Sequence, residues 1–421
     1  MNRKVIHNAS WLICGNIAHK LVAFIVGILT ARYLGPGNYG LITYASAYTT
    51  FFFSLATLGI NSVIVKKFVD DPDQEGTTLG TTLVLQGTAS ILSILVILGV
   101  VFVVDFGETL TILVVFLSSL GLFFQQLDTI KYWFQSRLES KYAALATTIS
   151  YLISSLYKLL MLILGKSVAW FAVAASLDHI VVAIILFGVY KGKGGPRLRF
   201  SKAIAVDLLK NSYHYILSGI MVSIYGATDK LMLKQFLNEE SVGYYGTAVS
   251  IATMWVFILS AIIDSLKPVI MDLFNKNYEA YIRKNILLYR IIFYLSIGVS
   301  IFITIFAEFG VGLLFGSDYL GAVTPLRIVT WYVAFSYLGV ARDIWVVCEG
   351  QQKHLPGIYF GSALMNVVLN AILIPNFGVS GAAIASLMCQ ISTIMLMPLF
   401  AKNMRANVKI MATAILFIED E

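Results

Sequence analysis

Apolar residues fall in long runs from residue 8 to residue 400, separated by short polar breaks. A run of about 20 apolar residues crosses the ~30 Å hydrocarbon core of a bilayer as a helix. The pattern predicts such helices at residues 8–33, 39–65, 78–104, 109–131, 142–164, 168–190, 212–236, 242–266, 286–306, 322–347, 355–374 and 379–400. The second and third runs contain no Asp, Glu, Lys or Arg. Lipid cannot hydrogen-bond an open backbone, so helices are expected. A membrane β-barrel needs short alternating segments, which this pattern lacks. The expected fold is all-α: a polytopic membrane protein of about 12 transmembrane helices in two six-helix lobes.

The polar breaks set the orientation. With the N-terminus inside, the inner segments carry most of the 30 Lys and Arg residues, among them Lys66, Lys67, Lys131, Arg137, Lys141 and the cluster Lys191–Lys210. The outer turns hold only Arg32, Lys166 and Lys234. Cytoplasmic loops characteristically carry such an excess, which places both termini in the cytoplasm. Arg3 and Lys4 precede an apolar run to Ala31 without a small-residue cleavage site, so the run reads as a retained first span and not a signal peptide.

Composition agrees. Charged residues make up 13% of the 421 residues and hydrophobic residues 58%, against ~25% charged in a typical soluble domain. A soluble enzyme, a disordered chain and a nucleic-acid-binding protein all fit poorly. The net charge of +7 is a topology signal, not a nucleic-acid footprint. Cys14, Cys348 and Cys389 lie in apolar stretches and form no CxxC pair. They read as buried apolar residues, with no metal or disulfide expected.

The most hydrophilic stretch is KGKGGPRLRFSKAIAVDLLK, residues 191–210. It divides the chain into an N-terminal six-helix lobe (1–190), a cytoplasmic basic linker (191–210), a C-terminal six-helix lobe (211–401) and a short cytoplasmic tail (402–421). Weak internal similarity supports two parallel repeats: Asn8, Ile13, Ile17 and Leu34 match Asn211, Ile216, Ile220 and Leu237, and Asn38–Gly40 faces Tyr244–Gly246.

Charges within the runs are the candidate chemistry. A central charge costs about 2.5–3.5 kcal/mol on insertion scales, so it usually faces a cavity or a partner. Lys20 lies mid-span on a face shared with Asn16, Ala23, Gly27 and Thr30; it either lines an aqueous cavity or pairs with a neighbouring helix. Lys158, Lys230 and Arg342 are further candidate cavity cations. Asp178 and Asp229 are candidate sites of ion or proton coupling, or else polar locks between helices. Arg327 reads as structural. Asn366 and Asn370, four apart, read as a packing amide stripe, and Ser380, Gly381, Ala382 and Ala385 as a close-packing face. Asp70, Asp71, Asp73 and Glu75 read as a solvated turn. No catalytic motif or metal-ligand set is present, and no cofactor is expected.

Four ordered stretches carry a family resemblance: LTARYLGPGNYGLITYASAYTTFFFSLATLGI (29–60), DKLMLKQFLNEESVGYYGTA (229–248), YLGAVTPLRIV (319–329) and GQQKHLPGIYFGSALMNVVLNAILIPNFGVSGAAIASL (350–387). The chain resembles polysaccharide flippases of the Wzx type, in the polysaccharide branch of the multidrug/oligosaccharidyl-lipid/polysaccharide exporter superfamily. The resemblance implies two six-helix bundles alternating access to a central cationic cavity. It implies movement of undecaprenyl-diphosphate-linked oligosaccharide from the cytoplasmic to the periplasmic leaflet of a bacterial inner membrane, for O-antigen, capsule or exopolysaccharide assembly. The implied partners are that lipid-linked glycan, membrane lipids, a coupling cation and polysaccharide assembly proteins. A drug or cation antiporter of the same superfamily and a lipid II flippase are the alternatives. A membrane glycosyltransferase or polymerase fits less well, because the outer turns are short. Some relatives have two further helices; here the last apolar run, 408–418, is too short to cross and reads as an inner-surface segment.

Overall fold

The computed structural model describes the backbone of residues 3–416 and the side chains of residues 22–416. The helices are α1 (Arg3–Thr57), α2 (Ile64–Asp70), α3 (Glu75–Val104), α4 (Thr109–Gln125), α5 (Ile130–Ser136), α6 (Lys141–Ile163), α7 (Val168–Gly192), α8 (Lys202–Phe236), α9 (Glu239–Thr253), α10 (Val256–Lys276), α11 (Tyr278–Leu314), α12 (Val323–Cys348), α13 (Leu355–Phe377), α14 (Val379–Ile391) and α15 (Arg405–Leu416). No strand occurs among the described residues.

The twelve expected spans each coincide with helix. Gly35, at φ 70°, breaks α1 into two arms just before Pro36; a residue with a Cβ rarely adopts that conformation. The arms cover the first two expected runs. Eight further helical stretches are long and apolar enough to cross a membrane, and α9 with α10, bent by 43°, adds a ninth. α12, which covers the expected run 322–347, is not among these; its 26 residues include Arg327, Arg342 and Asp343. Several helices overrun the sequence limits. α11 has 37 residues, about 55 Å at 1.5 Å per residue, because polar ends continue past the hydrocarbon that apolar runs register.

α3 shows why the medium must be lipid. Its Thr78, Thr81, Thr82, Gln86, Ser90 and Ser93 are buried, whereas Leu92, Leu95 and Val103 are 62%, 59% and 75% exposed. Polar groups inward and apolar groups outward is costly in water and favourable in a bilayer. The protein is therefore a multi-pass membrane protein.

Chain contacts group the structure into two compact units, Met1–Ala227 and Thr228–Glu421. The division falls inside α8, beyond the 191–210 segment that the sequence marks as the linker. Part of that segment is held on the first unit. Arg199 N donates to Gly76 O at 3.4 Å, and Ser201 N donates to Thr81 Oγ1 at 3.0 Å. A Cβ on Gly76 would lie 2.5 Å from Arg197 O, and one on Gly80 would lie 2.5 Å from Arg199 O. Two glycines one turn apart thus form the notch in which this strap lies.

Glu75 departs from the solvated turn expected for it. It is buried, accepting from Trp133 Nε1 at 2.8 Å and Arg137 Nη2 at 2.6 Å, and the Arg137 guanidinium stacks 4.2 Å from the Trp133 ring. Its Oε2 takes both hydrogen bonds, one of them from a cation, and a buried carboxylate is tolerable when paired in this way. Lys67 in α2 bonds Asp71 and Asp207 at 3.2 and 3.0 Å; these hydrogen bonds, Asp207 first, hold its ammonium above the ordinary lysine value.

In the second unit, Asn238 and Asn277 cap α9 and α11 by accepting from Ser241 N and Ala280 N. Gly378, at φ 59°, turns the chain from α13 into α14, and a Cβ on Gly381 would lie 2.1 Å from Leu373 O. Ala382 and Ala385 are fully buried beside it, the close packing expected of that small-residue face. The short α15 docks on α11: Asn407 Nδ2 donates to Tyr289 OH at 2.9 Å, and Tyr294 OH donates to Ile415 O at 2.6 Å. Its described part has 12 residues, about 18 Å.

Candidate functional site: a buried carboxylate and a hydroxyl-lined cavity

The second unit gathers four helices around one carboxylate. Asp229 of α8 is 6% exposed. Its Oδ1 accepts from Asn366 Nδ2 at 3.0 Å and Asn370 Nδ2 at 2.6 Å, both from α13. Its Oδ2 accepts from Tyr245 OH of α9 at 2.7 Å and from Ser386 Oγ of α14. Tyr245 OH and Ser386 Oγ lie 2.8 Å apart, close enough for either hydroxyl to turn to the other. The Asn366–Asn370 stripe therefore does more than pack helices: its one-turn spacing brings both amides to the same carboxylate. The amide oxygens of Asn366 and Asn370 are buried without a hydrogen-bond partner. The centre combines a negative charge with two unspent oxygen acceptors. Tyr245 and Ser386 carry no mark in the sequence that sets them apart from packing residues.

The first unit contains a cavity of about 710 Å³. Thr49, Thr50, Phe53 and Ser54 of α1 line one wall, Ser118, Gly121, Leu122 and Gln125 of α4 another, and Ala175 and His179 of α7 a third. The early part of α8 closes it with Ser218, Gly219, Val222, Ser223 and Gly226. Gly219 permits the approach, since a Cβ there would meet Ser54 Oγ at 2.7 Å.

The charged candidates occupy separate places. Lys20 lies outside the described side chains. Lys158 of α6 is half-buried, and the Asp178 carboxylate acts on it electrostatically. Asp178 is tied to α6 by Ser150 Oγ, which reaches its carbonyl at 2.5 Å and its Oδ1 at 2.7 Å. The adjacent His179 places Nδ1 3.3 Å from Asp128 Oδ2. Lys230 is half-buried while neighbouring Asp229 is buried, the divergence expected of adjacent helical positions. Arg342 is 1% exposed, and its Nη1 donates to Thr393 O at 3.3 Å. Thr393 lies in the π-helical turn Ser392–Leu396. None of Lys158, Lys230 and Arg342 lines the cavity of the first unit. Arg327 Nε donates to Thr304 O at 3.3 Å. Among the described residues, no three His, Cys, Asp or Glu side chains gather to hold a metal ion.

Long helices with outward apolar faces and buried polar centres define a polytopic membrane protein. Its fold matches that of an inward-facing multidrug resistance MATE family transporter of the MOP superfamily, with a TM-score of 0.73, 15% identity, and 94% of this chain and 96% of that one covered. It matches the lipid II flippase MurJ in an inward closed conformation similarly, with a TM-score of 0.72, 15% identity, and 97% and 93% covered. The chain belongs to the family described as polysaccharide biosynthesis protein, whose model matches residues 5–274. It is also similar to the probable flippase AglR of Haloferax volcanii, 26% identical over 89% of this chain and 78% of the relative.

Proposed function

We propose that this protein is a flippase that moves polyprenyl-diphosphate-linked oligosaccharide from the cytoplasmic to the outer leaflet of the cell membrane. The carrying observation is the similarity along 89% of the chain to a probable flippase, within a polysaccharide biosynthesis family. In this reading both termini are cytoplasmic and alternating access carries the headgroup through a hydrated path, while the polyprenyl tail stays in lipid. Lys20, Lys158 and Lys230 offer positive charge to the diphosphate. Arg342, sealed inside its unit, requires rearrangement to take part. Export of O-antigen or a related surface glycan of the Wzx type is the finer assignment.

Asp229 is the proposed coupling group. Its carboxylate and the unspent amide oxygens of Asn366 and Asn370 provide hard oxygen ligands for a small cation, or a base for a proton. Asp178, bonded to Ser150, acts in this reading as a helix lock. The test is a strain lacking the gene. Lipid-linked glycan should accumulate on the cytoplasmic leaflet, with surface polymer restored by the intact gene. Unchanged surface polymer without accumulation overturns the reading.

A further inference from the structure

The segment between α7 and α8 is pinned to the first unit and turns a mixed face outward. Gly195 N donates to Tyr190 O at 2.9 Å, and Tyr190 OH donates to Pro196 O at 2.5 Å. Beyond the strap in the Gly76–Gly80 notch, Ile204 and Leu208 of α8 enter a core cluster with Phe68 and Trp133. The outward face carries Arg197, Leu198, Arg199 and Phe200, then Lys202, Val206 and Lys210, all exposed. The last three are spaced by four and share one face of α8. Phe200 is 56% exposed and Val206 59%. Lys67 and Lys193 nearby are paired with Asp207 and Glu139; among the described residues no carboxylate pairs with the four outward cations. We propose that the strap and the first turns of α8 form a docking site for anionic phospholipid headgroups. The proposal needs only the membrane placement of the fold and goes beyond the transport reading.

The level of the strap along α3 carries the inference. The strap meets α3 at Gly76 and Gly80. Val84, 49% exposed, opens the outward apolar face of that helix, four residues and about 6 Å beyond Gly80. The headgroup layer adds about 5–7 Å to each side of the hydrocarbon core, so the strap lies within it. In water, a bare phenylalanine and valine among unpaired cations would gain nothing. At the headgroup level both kinds of side chain are used: apolar groups reach the acyl boundary and cations meet phosphates. With both termini cytoplasmic, this is the leaflet whose anionic lipids give it a negative surface potential, complementary to the four cations. Their spread selects a lipid surface over one phosphorylated ligand. Lys202 and Lys210 alone are about 12 Å apart along α8, a row and not a clamp.

The test uses the purified full-length protein in neutral detergent micelles, with retained lipid counted by native mass spectrometry. Wild-type protein should retain phosphatidylglycerol and not phosphatidylcholine of the same acyl chains. Arg197→Gln with Arg199→Gln and Lys202→Gln should bind phosphatidylglycerol about tenfold more weakly, the equivalent of about 1.4 kcal/mol. Arg197→Lys with Arg199→Lys keeps the charges and should bind within about twofold of the wild type. Lys276→Gln with Arg283→Gln and Lys402→Gln, which removes three exposed cations of the second unit, should also stay within about twofold. Raising the ionic strength from about 0.1 to about 1 M shortens the Debye length from about 10 to about 3 Å and should weaken wild-type retention by a similar tenfold, a readout that needs no variant to fold. Equal retention of both lipids, retention indifferent to salt, a strap variant that binds like the wild type, or an equal loss in the second-unit variant overturns the site.

Discussion

Replacing Asp229 by leucine and by asparagine separates the cost of losing an acceptor from the cost of losing a charge. Leucine removes the acceptor of four hydrogen bonds. Two donors have alternatives in place: Asn370 Nδ2 also reaches Asn366 O at 3.0 Å, and Tyr245 and Ser386 bond each other. The Asn366 amide and one hydroxyl are left unpaired. Each buried orphan costs about 1–3 kcal/mol, so Asp229→Leu should destabilise by about 2–6 kcal/mol, a large part of the ~5–15 kcal/mol typical of a folded protein. In Asp229→Asn, the new carbonyl accepts from the two amides and the new NH₂ donates to the hydroxyl oxygens. The amides and the new NH₂ stay paired, one hydroxyl proton is left without an acceptor, and the charge no longer has to be buried, so the loss should be about 1–3 kcal/mol, less than for Asp229→Leu. Detergent-titrated unfolding of the purified protein, followed by tryptophan fluorescence, gives both values. If Asp229→Leu is as stable as Asp229→Asn, the buried network is not the support described here. Asp229→Asn should also remove any dependence of transport on cation or proton gradients, since the neutral amide cannot carry the coupling charge.

Gly80→Ala should lift the 196–201 strap, because the added Cβ lies 2.5 Å from Arg199 O; overpacking of about 1–3 kcal/mol should speed tryptic cleavage at Arg197 and Arg199 by about 5- to 150-fold. Gly381→Ala, with Leu373 O at 2.1 Å, should lower the unfolding midpoint of the second unit by a similar free energy, measurable in the same detergent titration. The raised Lys67 ammonium adds stability that is fully present below the unfolded lysine value of 10.5 and is lost as pH rises through the higher folded value. The stability deficit of Lys67→Met should therefore be constant between pH 7 and 9 and shrink only above about pH 10.5.

The fold was largely legible because lipid imposes a coarse rule that apolar runs obey. Each of the twelve runs coincides with helix, and the break at Gly35–Pro36 falls between the first two. Contacts distant in sequence were not legible. Glu75 looked like part of a solvated acidic turn because Trp133 and Arg137 reach it from 58 and 62 positions away. Asp229 and the Asn366–Asn370 pair stood out separately, but nothing in their spacing joined them, since three helices converge on α8 to do so. The cavity was the least visible. Thr49, Thr50, Ser54 and Ser118 are uncharged, and a membrane helix uses the same residues for packing. Charge drew attention to Lys158, Lys230 and Arg342, which lie elsewhere.

The central claim is tested most directly by reconstituting the purified protein into liposomes of defined orientation, loaded in the inward leaflet with a fluorescent polyprenyl-diphosphate disaccharide. Appearance of the probe in the opposite leaflet, scored by a membrane-impermeant quencher, should be accelerated well above protein-free liposomes. Identical rates with and without the protein, in preparations shown to be folded and correctly oriented, would contradict the account.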